Sequence, residues 1–185
     1  MQRTVETSPL LQERLRVVPG RMDTIEKAIK ERDFATFAKT TMIDSNQFHA
    51  VCLDTSPPIF YLNDVSRSVI ALVEELNRAA GSPIAAYTFD AGPNAVIYAL
   101  EKDMPTIVKA VQKYFPTEEE FNDRLNVSSK VEGTALPEGF NEAVVAKWEK
   151  GAVKSLIHTN VGDGPRKLSQ DRGLLKEDGT PKTLA

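Results

Sequence analysis

The sequence feature that most constrains the fold is the run Tyr87–Ala95, in which the turn-forming sequence Gly-Pro-Asn separates two short apolar segments. Apolar segments that flank glycine, proline and asparagine in this way are typical of strands joined by a tight connection. The pattern predicts strands at about residues 84–90 and 95–100. Such a short connection makes the pair antiparallel, because parallel strands need a crossover of about a dozen residues or more.

Asp90 stands at the end of the first predicted strand, at the mouth of the turn. Strand ends present functional side chains on a rigid scaffold, so this carboxylate is a candidate catalytic group. Aspartate also occurs in turns for a simpler reason, because its side chain can bond the turn backbone. From this run alone, turn capping is the favoured interpretation.

Apolar residues at helical spacing surround the strand pair. An apolar stripe from Leu62 to Leu76 predicts a helix over about residues 60–79. Similar patterns predict helices from Pro9 onwards with an interruption at Pro19-Gly20, from Asp33 to Cys52, over 104–115 and over 141–149, and a third strand over 153–161. This order of elements indicates an α+β fold, with helices packed on one face of a small antiparallel sheet.

Composition changes along the second half of the chain. Residues 117–139 are acidic and polar with little periodicity, which predicts an exposed insertion or a loosely packed helix. The segment from Arg166 onwards is polar and is predicted to be a surface extension. We therefore expect one domain over residues 1–165, including the insertion, and a C-terminal extension over residues 166–185.

Charge and hydropathy argue against several classes of protein. The net charge of −3 gives no electrostatic case for binding nucleic acid or an anionic membrane. No apolar run is long enough to span a bilayer, and the amino terminus lacks the apolar stretch of a secretory signal. Cys52 is the only cysteine, which excludes an internal disulfide and fits a reducing compartment. We expect a soluble cytoplasmic protein without nucleic-acid or membrane partners.

A second candidate site lies on the helix predicted from Asp33 to Cys52. Ser45 and His49 share one helix face at i,i+4, and Cys52 follows one turn later. His49 and Cys52 could form a nucleophile pair, or contribute to a metal site for which too few ligand-type residues lie nearby. Alternatively, Ser45, Asn46 and His49 support an active site from beneath, or simply satisfy the backbone of neighbouring loops. The sequence leaves these last two interpretations open.

Nucleotide-binding motifs are absent from the sequence. Neither the GxxxxGK[ST] phosphate loop nor a GxGxxG run after a strand occurs. The glycine-rich sequence Gly162–Pro165 is a poor phosphate cradle, because proline removes an amide donor and no helix is predicted to follow. The chain alone therefore offers one candidate acid, Asp90, and no evident nucleotide site.

Two long and specific motifs are Asp44–Thr55, which reads DSNQFHAVCLDT, and Tyr87–Ala95, which reads YTFDAGPNA. Shorter motifs accompany them at Thr7–Leu11, Arg32–Phe34, Pro57–Ile59, Tyr61–Asn63 and Val161–Pro165. Together they resemble the diphosphomevalonate decarboxylase family of the GHMP kinase superfamily. The order and spacing of the motifs agree with that family over nearly all of the chain.

The resemblance implies a GHMP-kinase-type C-terminal domain and a specific reaction. Members of the family use ATP and Mg²⁺ to convert mevalonate 5-diphosphate into isopentenyl diphosphate, with release of carbon dioxide, ADP and phosphate, in isoprenoid and sterol synthesis. The family's catalytic aspartate aligns with Asp90, which the resemblance implies accepts or orients the proton of the substrate's 3-hydroxyl. The resemblance also implies a homodimer.

The chain departs from the family pattern in one respect. The family's glycine- and serine-rich ATP loop and most of its basic diphosphate ligands lie in an amino-terminal half that has no counterpart here. We therefore expect the C-terminal domain only, with no ATP or metal ligands of its own and no turnover in isolation. Two other hypotheses are a non-catalytic short form that serves as a dimerisation module for a full-length subunit, and an unrelated α+β binding domain, against which the long motifs argue.

Overall fold

The structure is a computed structural model that describes residues 2–182. A helical region comes first, followed by a two-stranded sheet, a further helix and a long segment with little regular structure. The helices are α1 (Gln2–Thr7), α2 (Pro9–Glu31), α3 (Phe34–Asp54), α4 (Asp64–Ala80), α5 (Met104–Tyr114) and α6 (Ser128–Val131). The strands are β1 (Ala85–Thr88), β2 (Val96–Ala99), β3 (Asn122–Asp123) and β4 (Ile157–His158), and short 3₁₀ turns cover Glu142–Val144 and Gln170–Arg172.

Helix α4 has well-defined ends. Asn63 and Ser66 form a reciprocal capping box at its start, in which each side chain accepts a hydrogen bond from the other residue's amide. The helix ends at Gly81, whose φ of 70° suits a residue without a Cβ atom. The helix predicted over residues 60–79 is confirmed, and the capping box explains why it starts at Asp64.

Strands β1 and β2 form an antiparallel pair, in which Thr88 lies opposite Val96. The predicted antiparallel pair is confirmed, but both strands are shorter than expected. Pairing stops after Thr88 because the next amide, that of Phe89, donates to the hydroxyl of Ser45 on α3. A helix side chain therefore replaces the strand partner at this point.

The core lies where α3, α4 and α5 meet β1. Residues 85–87 of β1 are buried, and Leu72 and Leu76 of α4 and Phe115 after α5 are almost fully excluded from solvent. Complete burial of a leucine or phenylalanine side chain contributes about 1.5–3 kcal/mol. The predicted α+β fold, with helices packed on a small antiparallel sheet, is confirmed.

Helix α2 continues through Pro19 and Gly20, so the interruption predicted there is wrong. A proline inside a helix leaves the carbonyl four residues earlier without its N–H partner. That carbonyl belongs to Leu15, a residue that is 60% exposed, so water can satisfy it. Because this side of α2 faces solvent, the cost of the proline is small enough for the helix to continue.

The second half of the chain has less regular structure than expected. Residues 141–149 form only the turn Glu142–Val144, so the helix predicted there is wrong. The strand predicted over 153–161 is reduced to β4, which pairs in parallel with β3 and not with β1 or β2. The amide of Trp148 donates to the carbonyl of Tyr114 at the end of α5 (2.8 Å), which ties this segment to the helix as an irregular strap.

The polar insertion 117–139 is organised by one aspartate. Asp123 accepts hydrogen bonds from the amides of Val127 (3.0 Å) and Ser128 (2.8 Å) and lies 2.9 Å from Nδ1 of His158. Burial opposes ionisation of Asp123, but these hydrogen bonds outweigh it and hold the pKa of the carboxyl well below its usual value. The insertion is therefore exposed over most of its length, yet fixed to β4 by the pairing of β3 and by the bond between Asp123 and His158.

The C-terminal segment is mostly exposed over residues 166–182, with one antiparallel bridge between Leu175 and Pro181. The division of the chain at residue 165 stays a prediction, and residues 183–185 of the expected extension lie outside the described range. None of the helices within residues 2–182 has the length and apolar character needed to cross a membrane.

Candidate functional site

Asp90 follows the end of β1 and begins the turn to β2. Its main-chain carbonyl accepts a hydrogen bond from the Gly92 amide (2.8 Å), which tightens the turn. Its side chain is exposed, and within residues 2–182 no hydrogen bond or ion pair involves its carboxylate. Turn capping by the side chain is therefore wrong as an interpretation, since backbone groups close the turn and the carboxylate oxygens stay available.

The peptide groups of Phe89, the residue before Asp90, are held from two sides by α3. The amide donates to Ser45 Oγ (3.1 Å), and the carbonyl oxygen lies 3.3 Å from His49 Nε2. A carbonyl oxygen only accepts, so His49 carries a proton on Nε2. Ser45 and His49 are 4% and 7% exposed, which keeps both bonds away from competing water. We call this pair of hydrogen bonds the Phe89 clamp.

Asn46 holds the same strand at a second point. The Tyr87 hydroxyl donates to Asn46 Oδ1 (3.0 Å) and lies 3.3 Å from Glu74 Oε1 of α4. Tyr87 is 1% exposed, and burial raises the pKa of its hydroxyl. Asn46 thus fixes a side chain of β1, whereas the Phe89 clamp fixes the backbone that follows it. The structure brings all three expected residues of α3 against one strand end, and their role in catalysis stays a prediction.

The alternative of a nucleophile pair finds no geometry in the structure. His49 directs Nε2 to Phe89 and packs its ring against Phe48 and Tyr61. Burial raises the pKa of the Cys52 thiol, which disfavours the reactive thiolate. In the described part of the chain, no three His, Cys, Asp or Glu side chains come together in a way that could hold a metal ion.

Helix α4 anchors the far side of the turn through a residue that was not expected from the sequence. Ser66 is 1% exposed, and its Oγ lies 3.4 Å from the carbonyl oxygen of Pro93. The same hydroxyl takes part in the capping box with Asn63. The Asn-x-x-Ser spacing of that box was the signal available in the sequence. The turn that carries Asp90 is therefore held at both ends, at Phe89 by α3 and at Pro93 by α4.

Two arginines of α2 converge on Asp44, the residue before Ser45. Arg14 binds both oxygens of the Asp44 carboxylate (3.0 and 2.9 Å), and Arg21 binds one of them (3.0 Å). Burial opposes ionisation of Asp44, but the arginines outweigh it and keep the pKa of the carboxyl below its usual value. These bonds fix α2 against the turn of α3 that carries Ser45.

The Phe89 clamp and Asp90 are coupled electrostatically. Burial lowers the pKa of His49, while the Phe89 carbonyl and the negative charge of Asp90 act in the opposite direction. Burial has the larger effect, so His49 is neutral near neutral pH. The charge of Asp90 therefore acts on His49, whose imidazole binds the carbonyl of Phe89, the residue before Asp90.

Comparison with known proteins finds relatives along nearly the whole chain. The family profile "Mevalonate 5-diphosphate decarboxylase C-terminal domain" matches residues 1–168. The diphosphomevalonate decarboxylase of Ganoderma lucidum is 57% identical over 189 residues, which cover 98% of this chain and 47% of that protein. The chain therefore spans about half the length of the curated relatives it matches.

Solved structures share the fold. The mevalonate diphosphate decarboxylase from Trypanosoma brucei superposes with a TM-score of 0.84 at 35% identity, over 94% of this chain and 46% of that one. A structure described as MDDEF in complex with MVAPP, AMPPCP and magnesium superposes with a TM-score of 0.58 at 31% identity, over 62% of this chain and 34% of that one.

The substitution Asp90→Asn is expected to lower the pKa of His49 further, because it removes a negative charge that favours the imidazolium. The measurement is a pH titration of the His49 ring signals by NMR, in the unchanged chain and in the variant. Asp171→Asn, in the C-terminal segment, serves as the matched control and leaves the titration unchanged. A His49 titration that is the same or shifted upward in Asp90→Asn contradicts the placement of Asp90 beside the clamp.

Proposed function

The chain belongs to the mevalonate 5-diphosphate decarboxylase family, and on that premise we propose that it forms the C-terminal part of an enzyme that converts mevalonate 5-diphosphate into isopentenyl diphosphate with ATP. The observation that carries this proposal is the exposed, unpaired carboxylate of Asp90 on a turn held by the Phe89 clamp. Because the chain spans 47% of the Ganoderma lucidum relative, the rest of the active site is proposed to come from an amino-terminal part.

Asp90 is proposed as the general base of the reaction. A base must lie within about 2.6–3.2 Å of the oxygen whose proton it takes, and a carboxylate already occupied by a turn cannot do so. Asp90 takes the proton of the substrate's 3-hydroxyl. As the proton is removed, the oxygen bonds to the γ-phosphorus of ATP and ADP leaves. When that oxygen then departs as phosphate with the electrons of the carbon–oxygen bond, and the carboxylate is lost as carbon dioxide, the electrons of the broken carbon–carbon bond form the double bond of the product.

Ser45 and His49 are proposed as positioning residues, because their bonds reach Asp90 through Phe89 and do not involve the substrate. Fixing both polar groups of the preceding residue restricts the direction in which the Asp90 side chain leaves the backbone. Such precision matters for catalysis, since a misplacement of about 1 Å can cost about 10²-fold in rate. Asn46 contributes indirectly, by holding Tyr87 two residues before the clamp.

ATP and Mg²⁺ are proposed to bind outside this chain. The MDDEF complex contains AMPPCP and magnesium, which supports both groups for the family. The residues around Asp90 do not fit Mg²⁺, because no group of three His, Cys, Asp or Glu side chains that could hold a metal ion forms among residues 2–182. The Gly92 amide is already bonded to the Asp90 carbonyl, and Pro93 has no amide to donate. We therefore assign no residue of this chain to the nucleotide or the metal.

A homodimer, a cytoplasmic location and a role in isoprenoid and sterol synthesis complete the proposal. Large apolar side chains at Val5, Leu53 and Phe60 are 67%, 55% and 73% exposed, which supports association through this part of the molecule. The same exposure supports the alternative function, in which a short form docks on a full-length subunit without catalysing the reaction itself.

The isolated chain is expected to show no turnover of mevalonate 5-diphosphate and ATP. A fusion in which this chain replaces the matching C-terminal part of the Ganoderma lucidum enzyme is expected to release ADP, phosphate and isopentenyl diphosphate. Both are checked by a coupled ADP assay and by detection of the product. Steady phosphate release by the isolated chain, or a folded fusion without activity, contradicts the proposal.

In the active fusion, Asp90→Asn is expected to lower kcat by about 10²–10⁴, the usual contribution of a general base. The amide keeps the size of the side chain but replaces one acceptor oxygen by an NH₂ donor, and it cannot accept a proton at neutral pH. The matched control is Asp171→Asn, which lies beyond the matched residues 1–168 and is expected to keep full activity. If the kcat of Asp90→Asn stays within about threefold of the unchanged fusion, Asp90 is not the general base, because loss of a base lowers kcat by about 10²–10⁴.

Ser45→Ala tests the positioning role. In the active fusion it is expected to lower kcat by about tenfold to 10²-fold with little change in KM, because Ser45 orients the base and does not contact substrate. In an Asp90→Asn background the same substitution is expected to have almost no further effect, since it acts through Asp90. Equal losses in both backgrounds indicate a general effect on folding and contradict a positioning role.

A further inference from the structure

A surface cleft of about 370 Å³ lies between α2, α3 and the strand pair, apart from Asp90. One part of its wall is apolar, with the rings of Phe37 and Tyr98 in edge-to-face contact (5.5 Å between centroids). The other part is polar and contains Arg21 and Thr41. The volume lies at the lower end of the range of small-molecule sites, which is about 300–1,000 Å³.

The helix pattern explains this division of the wall. The connection between α2 and α3 is so short that the two helices lie antiparallel. Phe37, Thr41 and Asp44 recur at i, i+4 and i+7 on α3, so they form one row that runs from apolar to charged. Arg21 of α2 reaches the charged end of this row, where it binds Asp44.

The polar end has spare hydrogen-bonding capacity and a positive charge. Arg14 and Arg21 share the single carboxylate of Asp44, which leaves one positive charge in excess. Arg21 uses only Nη1, toward Asp44 and Gln47, and its Nε and Nη2 have no partner within residues 2–182. A guanidinium edge with two free donors matches the two oxygens of a carboxylate or phosphate.

A buried hydroxyl beside this edge is also without a partner. Thr41 Oγ1 is out of contact with solvent and makes no hydrogen bond in the described part of the chain. Buried polar groups are almost always hydrogen-bonded, because an unpaired one costs free energy. Thr41 is one of the residues that line the cleft, so rotation of its side chain would bring the hydroxyl to an oxygen of a bound anion.

We propose that this cleft binds a small amphiphilic anion, a phosphate or carboxylate on a short apolar tail, with the anionic head at Arg21 and Thr41 and the tail against Phe37 and Tyr98. Tyr98 is 42% exposed in the chain, so the tail would cover apolar surface that is now in water. The site does not depend on the proposed function, because Asp90 is not part of its lining.

The ligand nevertheless lies against the elements that position Asp90. Asp44 and Thr88 line the cleft and directly precede Ser45 and Phe89, the two residues that make the first bond of the Phe89 clamp. Binding is therefore expected to shift the NMR signals of the clamp as well as those of the cleft.

The test is titration of the isolated chain with butyl phosphate, pentanoate, inorganic phosphate and butan-1-ol, followed by NMR and calorimetry. We expect butyl phosphate or pentanoate to bind at least about tenfold more tightly than inorganic phosphate or butan-1-ol, because only these two use both ends of the cleft. The first two compounds distinguish a phosphate head from a carboxylate head. No binding by either, or equal binding of inorganic phosphate, overturns the proposal.

Two substitutions locate the site. Arg21→Met is expected to weaken binding by about tenfold or more, whereas Arg16→Met leaves it unchanged, because Arg16 lies on the same helix but pairs only with Glu13 among the described residues. Thr41→Val is expected to weaken binding without lowering the melting temperature, because the hydroxyl it removes has no partner among residues 2–182. If Thr41→Val lowers the melting temperature and leaves binding unchanged, the hydroxyl is structural and the proposal is overturned.

Cleft substitutions are also made in the fusion with the amino-terminal part. If they weaken the docking of the two parts and leave binding of butyl phosphate and pentanoate to the isolated chain unchanged, the cleft is a contact between protein surfaces. That result overturns the assignment of a small-molecule site.

Discussion

The hydrogen bonds to the two polar groups of Phe89 are the interaction on which the candidate site depends. Pairing between β1 and β2 ends at Thr88, so the next peptide is buried without a strand partner. Unpaired peptide groups in such a place are costly, and β2 no longer provides partners for them. Ser45 supplies the acceptor for the Phe89 amide, and His49 supplies the donor for the Phe89 carbonyl. The backbone can therefore leave the sheet while its buried peptide groups stay hydrogen-bonded. The next side chain, Asp90, then reaches the surface in a fixed direction.

The clamp in turn depends on where α3 lies. Its two side chains reach Phe89 only if α3 has the correct rotation and axial position against β1. Asp44, the residue before Ser45, binds Arg14 and Arg21 of α2. Asn46, the residue after Ser45, binds the hydroxyl of Tyr87. Three consecutive residues of α3 thus have partners on α2, the turn and the strand. Rotation of the helix would break all three at once, which explains how a surface turn acquires a defined geometry.

The sequence predicts those parts of this arrangement that depend on local patterns. The spacing of Ser45 and His49 places them on one helix face, and the Gly-Pro-Asn turn predicts the strand pair with Asp90 at its end. The partner of the two side chains could not be predicted, because it is a backbone group with no sequence signature. The Arg14–Asp44 pair joins residues 30 positions apart. The break expected at Pro19 is absent for a related reason, since the exposure of Leu15 depends on tertiary packing.

The exposure of Asp90 defines what this chain can contribute to the proposed reaction. In water, the oxygens of a carboxylate are occupied by solvent, and a tertiary hydroxyl gives up its proton only where that solvent is displaced and the two oxygens are held in line. Within residues 2–182 the chain supplies the direction of the carboxylate but no surface that covers it. The Phe89 clamp therefore meets one of the two requirements for the proposed general base, a fixed direction of the carboxylate. In the proposed reaction, the exclusion of water is assigned to the proposed amino-terminal part, and a rigid turn holds the carboxylate in place before that part and the substrate cover it.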